Sequence, residues 1–138
     1  MVQRSTFYNT TAVPIPYDTA PINMGNAMNI STGIFTAPRK GVYFFVFTGI
    51  TVWETTGNSV LRIGLKKNNY YVAFGYTNGA NNDAYETFAF NCMLNLEAGD
   101  LVWAEINAAT NVFLFDGLYD NFSGWLLKED ISTILNIS

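Results

Sequence analysis

The chain has 138 residues, a length that suits one domain with its own core. Hydrophobic residues make up 49% and aromatics 16%, while charged residues are only 13% against about 25% in typical domains. The net charge of −4 argues against nucleic acid or an anionic membrane as the main partner. No run reaches the ~18 apolar residues of a membrane-spanning helix.

Short β-branched and aromatic runs, separated by Gly, Asn, Pro and Asp, predict an all-β sandwich or barrel with almost no helix. The first strand is Gln3–Tyr8. It leads into "NTTAVPIPYD", where Pro14 and Pro16 allow only an edge or short strand. Gly33–Ala37, Val42–Val52 and Ser59–Lys67 follow. The Asn-Asn centre of "KNNY" (Lys67–Tyr70) marks a tight hairpin, because Asn tolerates the left-handed backbone such a turn needs. Tyr71–Tyr76 returns from it, and "TNGANND" reads as a loop. Tyr85–Leu96 is long, "EAGD" (Glu97–Asp100) is a turn, and Leu101–Ile106, Val112–Phe115 and Phe122–Leu127 complete the set. Met1 leads straight into "VQRSTFY", which reads as strand and not as a targeting segment.

Successive side chains of a strand point to opposite faces, so each strand can be sorted by whether it has a polar face. In Ser59–Lys67, Leu61, Ile63 and Leu65 oppose Arg62 and Lys66. In Tyr85–Leu96, Phe88, Phe90, Cys92, Leu94 and Leu96 oppose Thr87, Asn91 and Asn95. Both suit a solvated outer sheet. Val42–Val52, Leu101–Ile106 and Phe122–Leu127 are apolar on both faces. If these three share a sheet, its second face needs a cover, since each large apolar side chain left in water forfeits roughly 1.5–3 kcal/mol. The simplest cover is another copy of the same sheet, which predicts a closed homo-oligomer. The expected interface residues are Tyr43, Phe45, Phe47, Trp103, Trp125 and Leu127. The alternative is that twist and loops cover that face within one copy.

"STGIFTAPRKGVYFFVF", "LEAGDLVWAEI" and "NFSGWLL" resemble, in order and spacing, the globular head domain of complement C1q, of the C1q/tumour-necrosis-factor superfamily. The matching positions are Gly33, Phe35, Thr36, Pro38, Gly41, Tyr43, Phe45, Gly99, Asp100, Val102, Trp103, Phe122, Gly124 and Leu126. The resemblance implies a ten-strand jelly-roll β-sandwich assembling as a compact homotrimer, with the three two-sided strands in its inner sheet. It implies a C1q-like globular domain over residues 1–130 and a C-terminal tail over 131–138. The collagen-like stalk of the family is absent from this sequence.

The sequence has no histidine and one cysteine, Cys92, which removes Ser-His-Asp and Cys-His catalysis, His-based zinc sites and CxxC centres. Cys92 reads as a small core hydrophobe. Asp83/Glu86 and Asp116/Asp120 read as solvated loop acids, so no enzyme is expected. Some relatives bind calcium through loop oxygens. Here "GANND" and "DGLYDN" offer such oxygens, with Asp83, Asp116 and Asp120 as the candidate metal ligands. Aromatic and amide side chains in surface loops suit ligand recognition, which points to Asn68, Asn69, Tyr70, Tyr71, Asn81, Asn82 and Asp83. Four Asn-x-Ser/Thr sequons, at Asn9, Asn29, Asn121 and Asn136, fit a secreted glycoprotein. The resemblance therefore implies a secreted, non-enzymatic, trimeric recognition module, binding glycans or microbial patterns in innate immunity. The alternatives are a protein ligand in receptor signalling and a structural trimerisation head. Neither nucleic acid nor membrane insertion is expected.

Overall fold

The computed structural model describes residues 2–3, 10–15, 27–29, 31–53, 58–80, 85–110, 112–114 and 121–129, and none of these is helical. Their strands are β1 (Val2–Gln3), β2 (Met28–Asn29), β3 (Ile34–Thr36), β4 (Gly41–Trp53), β5 (Asn58–Lys67), β6 (Tyr70–Ala80), β7 (Tyr85–Leu96), β8 (Leu101–Thr110), β9 (Val112–Leu114) and β10 (Asn121–Glu129). They form two five-stranded antiparallel sheets. The first runs β1-β10-β4-β7, with β9 paired to the far end of β4; the second runs β2-β3-β8-β5-β6. The "TNGANND" stretch is thus partly strand, since β6 continues through Thr77–Ala80 against Asn58–Leu61. The expected tail, residues 131–138, lies outside the described residues.

The core lies between the sheets, where alternation selects its members. Tyr43, Phe45 and Phe47 of β4 and Phe122 of β10 face Leu61, Ile63 and Leu65 of β5 and Val102, Ala104 and Ile106 of β8. Burying each large side chain contributes roughly 1.5–3 kcal/mol. The aromatic rings interlock: Phe35 meets Phe45 edge-on at 5.2 Å, and Phe45 stacks on Phe122 at 5.8 Å. Gly124 makes that stack fit, because a Cβ there would lie 2.4 Å from the Phe45 ring. The Tyr43 hydroxyl reaches out of the core, donating to the Arg39 carbonyl at 2.6 Å and accepting from the Arg39 N–H at 3.2 Å. It pins the turn that starts β4.

The partition of strands corrects one expectation. The two-sided strand Leu101–Ile106 does not join Val42–Val52 and Phe122–Leu127. It is the centre of the opposite sheet, paired to β5 along its length, while the one-sided Tyr85–Leu96 pairs directly with β4. On its other side β8 is flanked by β3 and by the segment Thr11–Ile15, whose Ala12 and Ile15 N–H groups donate to the Ile106 and Ala104 carbonyls at 3.0 and 2.9 Å. Pro14 sits at this edge, where its missing N–H is harmless.

Two outer faces as the candidate functional site

Each sheet turns its second face outward, and the two outer faces differ in chemistry. On the first sheet the register aligns Trp125 of β10, Phe44 of β4 and Met93 of β7 in one cross-strand row. Trp125 and Met93 are 47% and 63% exposed, and Trp125 meets Phe44 edge-on at 5.2 Å. Val46 continues the apolar band between Ser123 and Asn91 in the next row, and Leu127 of β10 is also exposed. No described residue covers this row.

The expected interface set therefore divides. Tyr43, Phe45 and Phe47 are not surface residues; each fills the chain's own core, because the inward parity of β4 belongs to them and the outward parity to Phe44, Val46 and Ile50. Trp103 is also displaced: it lies on β8, in the other sheet, buried with its indole N–H donating to Glu105 Oε2 at 3.2 Å. Trp125 and Leu127 do stand on an outer face beside β4. Phe44, Val46 and Met93, which the expected set lacked, share that face. Only Met93 carries a signal in the sequence, since it alternates with the apolar face of Tyr85–Leu96 and so shares the parity of Asn91 and Asn95.

The outer face of the second sheet carries a stripe of cations and rings. Cross-strand register sets Arg62 beside Tyr76, Gly64 between Phe74 and Glu105, and Lys66 between Tyr71 and Trp103. Gly64 is the dimple of this surface: a Cβ there would lie 2.3 Å from the Tyr71 ring, which occupies the space instead. Tyr71 and Phe74 pack at 4.7 Å between centroids, and Asn107 donates to the Tyr71 hydroxyl at 3.4 Å. The Arg62 guanidinium lies 3.9 Å over Phe74, and the Lys66 ammonium lies 4.7 Å over Tyr71. Glu105, only 3% exposed, accepts from Lys66 at 3.2 Å and from Trp103. Among the described residues Arg39, Lys40, Lys66 and Lys67 each face a carboxylate. Arg62 faces a ring and, among the described residues, no carboxylate, and its neighbour Tyr76 is 59% exposed.

The β5–β6 hairpin tip is split between support and exposure. Asn68 adopts a left-handed backbone, with φ 57°. Its side chain accepts from the Leu101 N–H at 3.0 Å and donates to Asp100 Oδ1 at 3.3 Å. Asp100 also accepts from the Glu97 N–H at 2.8 Å and faces Lys67 at 3.8 Å. That backbone bond first, then Asn68 and Lys67, hold its carboxyl below the usual carboxylate range, against the opposing effect of desolvation. The candidate ligand residue Asn68 is therefore committed to a latch between the hairpin and the β7–β8 turn. Asn69 and Tyr70 are exposed, while Tyr71 is half-buried in the stripe. Asn81, Asn82 and Asp83 lie outside the described residues, as do Asp116 and Asp120. Among the described residues no three His, Cys, Asp or Glu side chains converge as a metal site would need. Cys92 packs against the core, and burial pushes its thiol up.

The chain matches the C1q domain model over residues 1–127, and it belongs to that family. It is 30% identical over 117 residues to Caprin-2 of Danio rerio, covering 85% of this chain and 12% of that protein. It is 29% identical over 126 residues to complement C1q tumor necrosis factor-related protein 2 of Mus musculus, covering 89% and 40%. The chain thus spans less than half the length of these curated relatives. Among solved structures it is similar to the globular domain of zebrafish complement 1qA protein, with TM-score 0.63 at 22% identity over 94% of this chain and 100% of the other. It is equally similar to murine APRIL, with TM-score 0.63 at 15% identity over 89% and 92%. At these identities the likeness is one of fold: the all-β sandwich is of the C1q and tumour-necrosis-factor jelly-roll type.

Proposed function

We propose that the chain is an extracellular, non-enzymatic recognition module that works as a homotrimer and binds glycans of microbial or host surfaces. The observation that carries this reading is the contrast between the two outer faces. The Trp125–Phe44–Met93 row is apolar, and no described residue covers it, which suits burial against further copies. The opposite face offers exposed rings with the Arg62 guanidinium among them, which suits stacking on a sugar face while hydrogen-bonding its oxygens. Three such faces on one rigid body gain avidity through effective concentration, so each site can be weak.

The test is made on the full chain. Light scattering on a sizing column, with and without a calcium chelator, gives the mass; a glycan array then reports binding. The expected result is a trimer that is retained on a subset of glycans. Tyr76→Ala and Arg62→Ala should each lower retention at least tenfold with the mass unchanged. Loss of the trimer on chelation would place calcium in the assembly. A monomer would overturn the assembly, and a trimer that ignores every glycan would move the stripe to a protein receptor.

A further inference from the structure

The four sequons are not equivalent once the fold is known. Asn9 and Asn136 lie outside the described residues, so the comparison is between Asn29 and Asn121. We infer that Asn29 is the acceptor of an N-linked glycan, and that this glycan stands clear of the apolar outer face of the first sheet. The inference rests on the extracellular reading above.

Asn29 ends β2, the edge strand of its sheet, and its side chain is exposed. Its carboxamide oxygen is fully engaged by the sequon itself. Oδ1 accepts from the Ser31 hydroxyl at 2.7 Å, from the Ser31 N–H at 3.1 Å and from the Thr32 N–H at 3.4 Å. The Asn29 carbonyl closes the same loop by accepting from the Gly33 N–H at 2.7 Å. The carboxamide nitrogen, the atom that would carry the sugar, donates no hydrogen bond among the described residues. Modification at that atom therefore breaks nothing the loop depends on.

Asn121 is placed the opposite way. It pairs with Gln3 of β1 on one side and Thr48 of β4 on the other, inside the first sheet. The next residue, Phe122, is wholly buried, so alternation turns Asn121 to the outer face that carries Trp125. Its side chain is half-buried. A glycan there would stand on the apolar face that the assembly has to cover. A glycan on Asn29 would stand on the other sheet, clear of that face.

The transfer balances simply. A bond forms between Asn29 Nδ2 and the anomeric carbon of an oligosaccharide donated from a lipid diphosphate. The anomeric C–O bond breaks, the lipid diphosphate leaves with the electron pair, and Nδ2 loses one proton.

The experiment expresses the full chain behind a cleavable signal peptide in a eukaryotic secretory cell, with an added C-terminal Asn-Gly-Thr tag as a lumenal control. Enzymatic deglycosylation in heavy-oxygen water followed by peptide mass spectrometry then maps the occupied asparagines. The expected result is glycan on the tag and on Asn29, none on Asn121, and loss of the Asn29 signal in both Asn29→Gln and Ser31→Ala. Glycan on the tag with Asn29 bare, or glycan on Asn121, overturns the inference. The extracellular reading is checked apart from this, by locating the protein inside or outside the cells of its natural source. Light scattering of the glycosylated material adds a check on geometry: the same mass as the enzymatically deglycosylated protein is expected, and dissociation by the Asn29 glycan would overturn its placement clear of the interface.

Discussion

Glu105 is a carboxylate held almost out of water, and its two partners show what removing it would do. Lys66 is itself largely covered, and the Trp103 indole N–H points at the same oxygen. Glu105→Ala leaves both donors without an acceptor. Breaking a buried pair from one side costs about 3–5 kcal/mol, and Lys66 is exposed enough to regain some water. A loss of about 3 kcal/mol is expected, read as a lower urea midpoint with an unchanged slope. Gly64→Ala acts beside it by a different route. The new Cβ would drive the Tyr71 ring off its seat against Phe74, with an overpacking cost of about 1–3 kcal/mol and a disrupted stripe. Both a lower urea midpoint and weaker glycan retention are expected. An unmoved midpoint would show that the ring relocates freely.

At the scale of elements, the latch between the β5–β6 hairpin and the β7–β8 turn has a pH signature. The Asp100 carboxyl is held below the usual range in the folded chain, so the ionised form is the one folding favours. Its contribution is present above the unfolded carboxyl value near pH 4 and is lost as pH falls through the lower folded value. Asp100→Asn keeps an acceptor for the Glu97 N–H but cannot titrate. Its urea midpoint is expected to fall less than that of the native chain as the medium is acidified from about pH 5 to below pH 4. Equal slopes for the two proteins would remove the latch as an acid-sensitive element. Asn68→Ala should speed amide exchange at Leu101, whose N–H would lose its acceptor.

This element scale also shows where sequence reading stops. The inward faces of β5 and β7 are legible because polar residues share the opposite parity: Arg62 and Lys66 on one, Asn91 and Asn95 on the other. The close packing at Gly124 belongs to a motif that could be recognised, as does the hairpin at Lys67–Tyr70. Which strands neighbour each other was not legible, since period two fixes faces and says nothing of pairing. Strand β8 reads as two-sided only while Trp103 stands for its second face; Glu105, two residues on, shares that face. A carboxylate at the parity of Trp103 is the available sign that this face turns outward. The choice of Tyr43, Phe45 and Phe47 over Phe44 and Val46 failed for a related reason: both parities of β4 are apolar, so composition alone cannot say which one is the core.

For the whole molecule, the decisive surface is the Trp125 row. Trp125→Glu puts a carboxylate at the centre of the apolar band, beside Phe44, without touching a core contact. The expected outcome is a folded monomer by light scattering, with a circular dichroism spectrum unchanged from the native chain. A mass equal to the native oligomer would mean that copies meet elsewhere. Multivalent glycan retention should fall with the oligomer even though every residue of the outer stripe is intact.

Strand β4 lies at the centre of the first sheet, yet β10, one of its two main neighbours, is the last strand described. During synthesis the ribosome therefore releases the aromatic heart of the protein long before the strand that shields its flank. Until Glu129 has left the exit tunnel, β4 is an unpaired edge beside Phe45. Contacts so distant along the chain make for slow closure, on a scale of milliseconds to seconds for all-β topologies. Nascent chains stalled before Asn121 are expected to recruit chaperones and resist becoming protease-stable, whereas chains released after Glu129 should do so in one step.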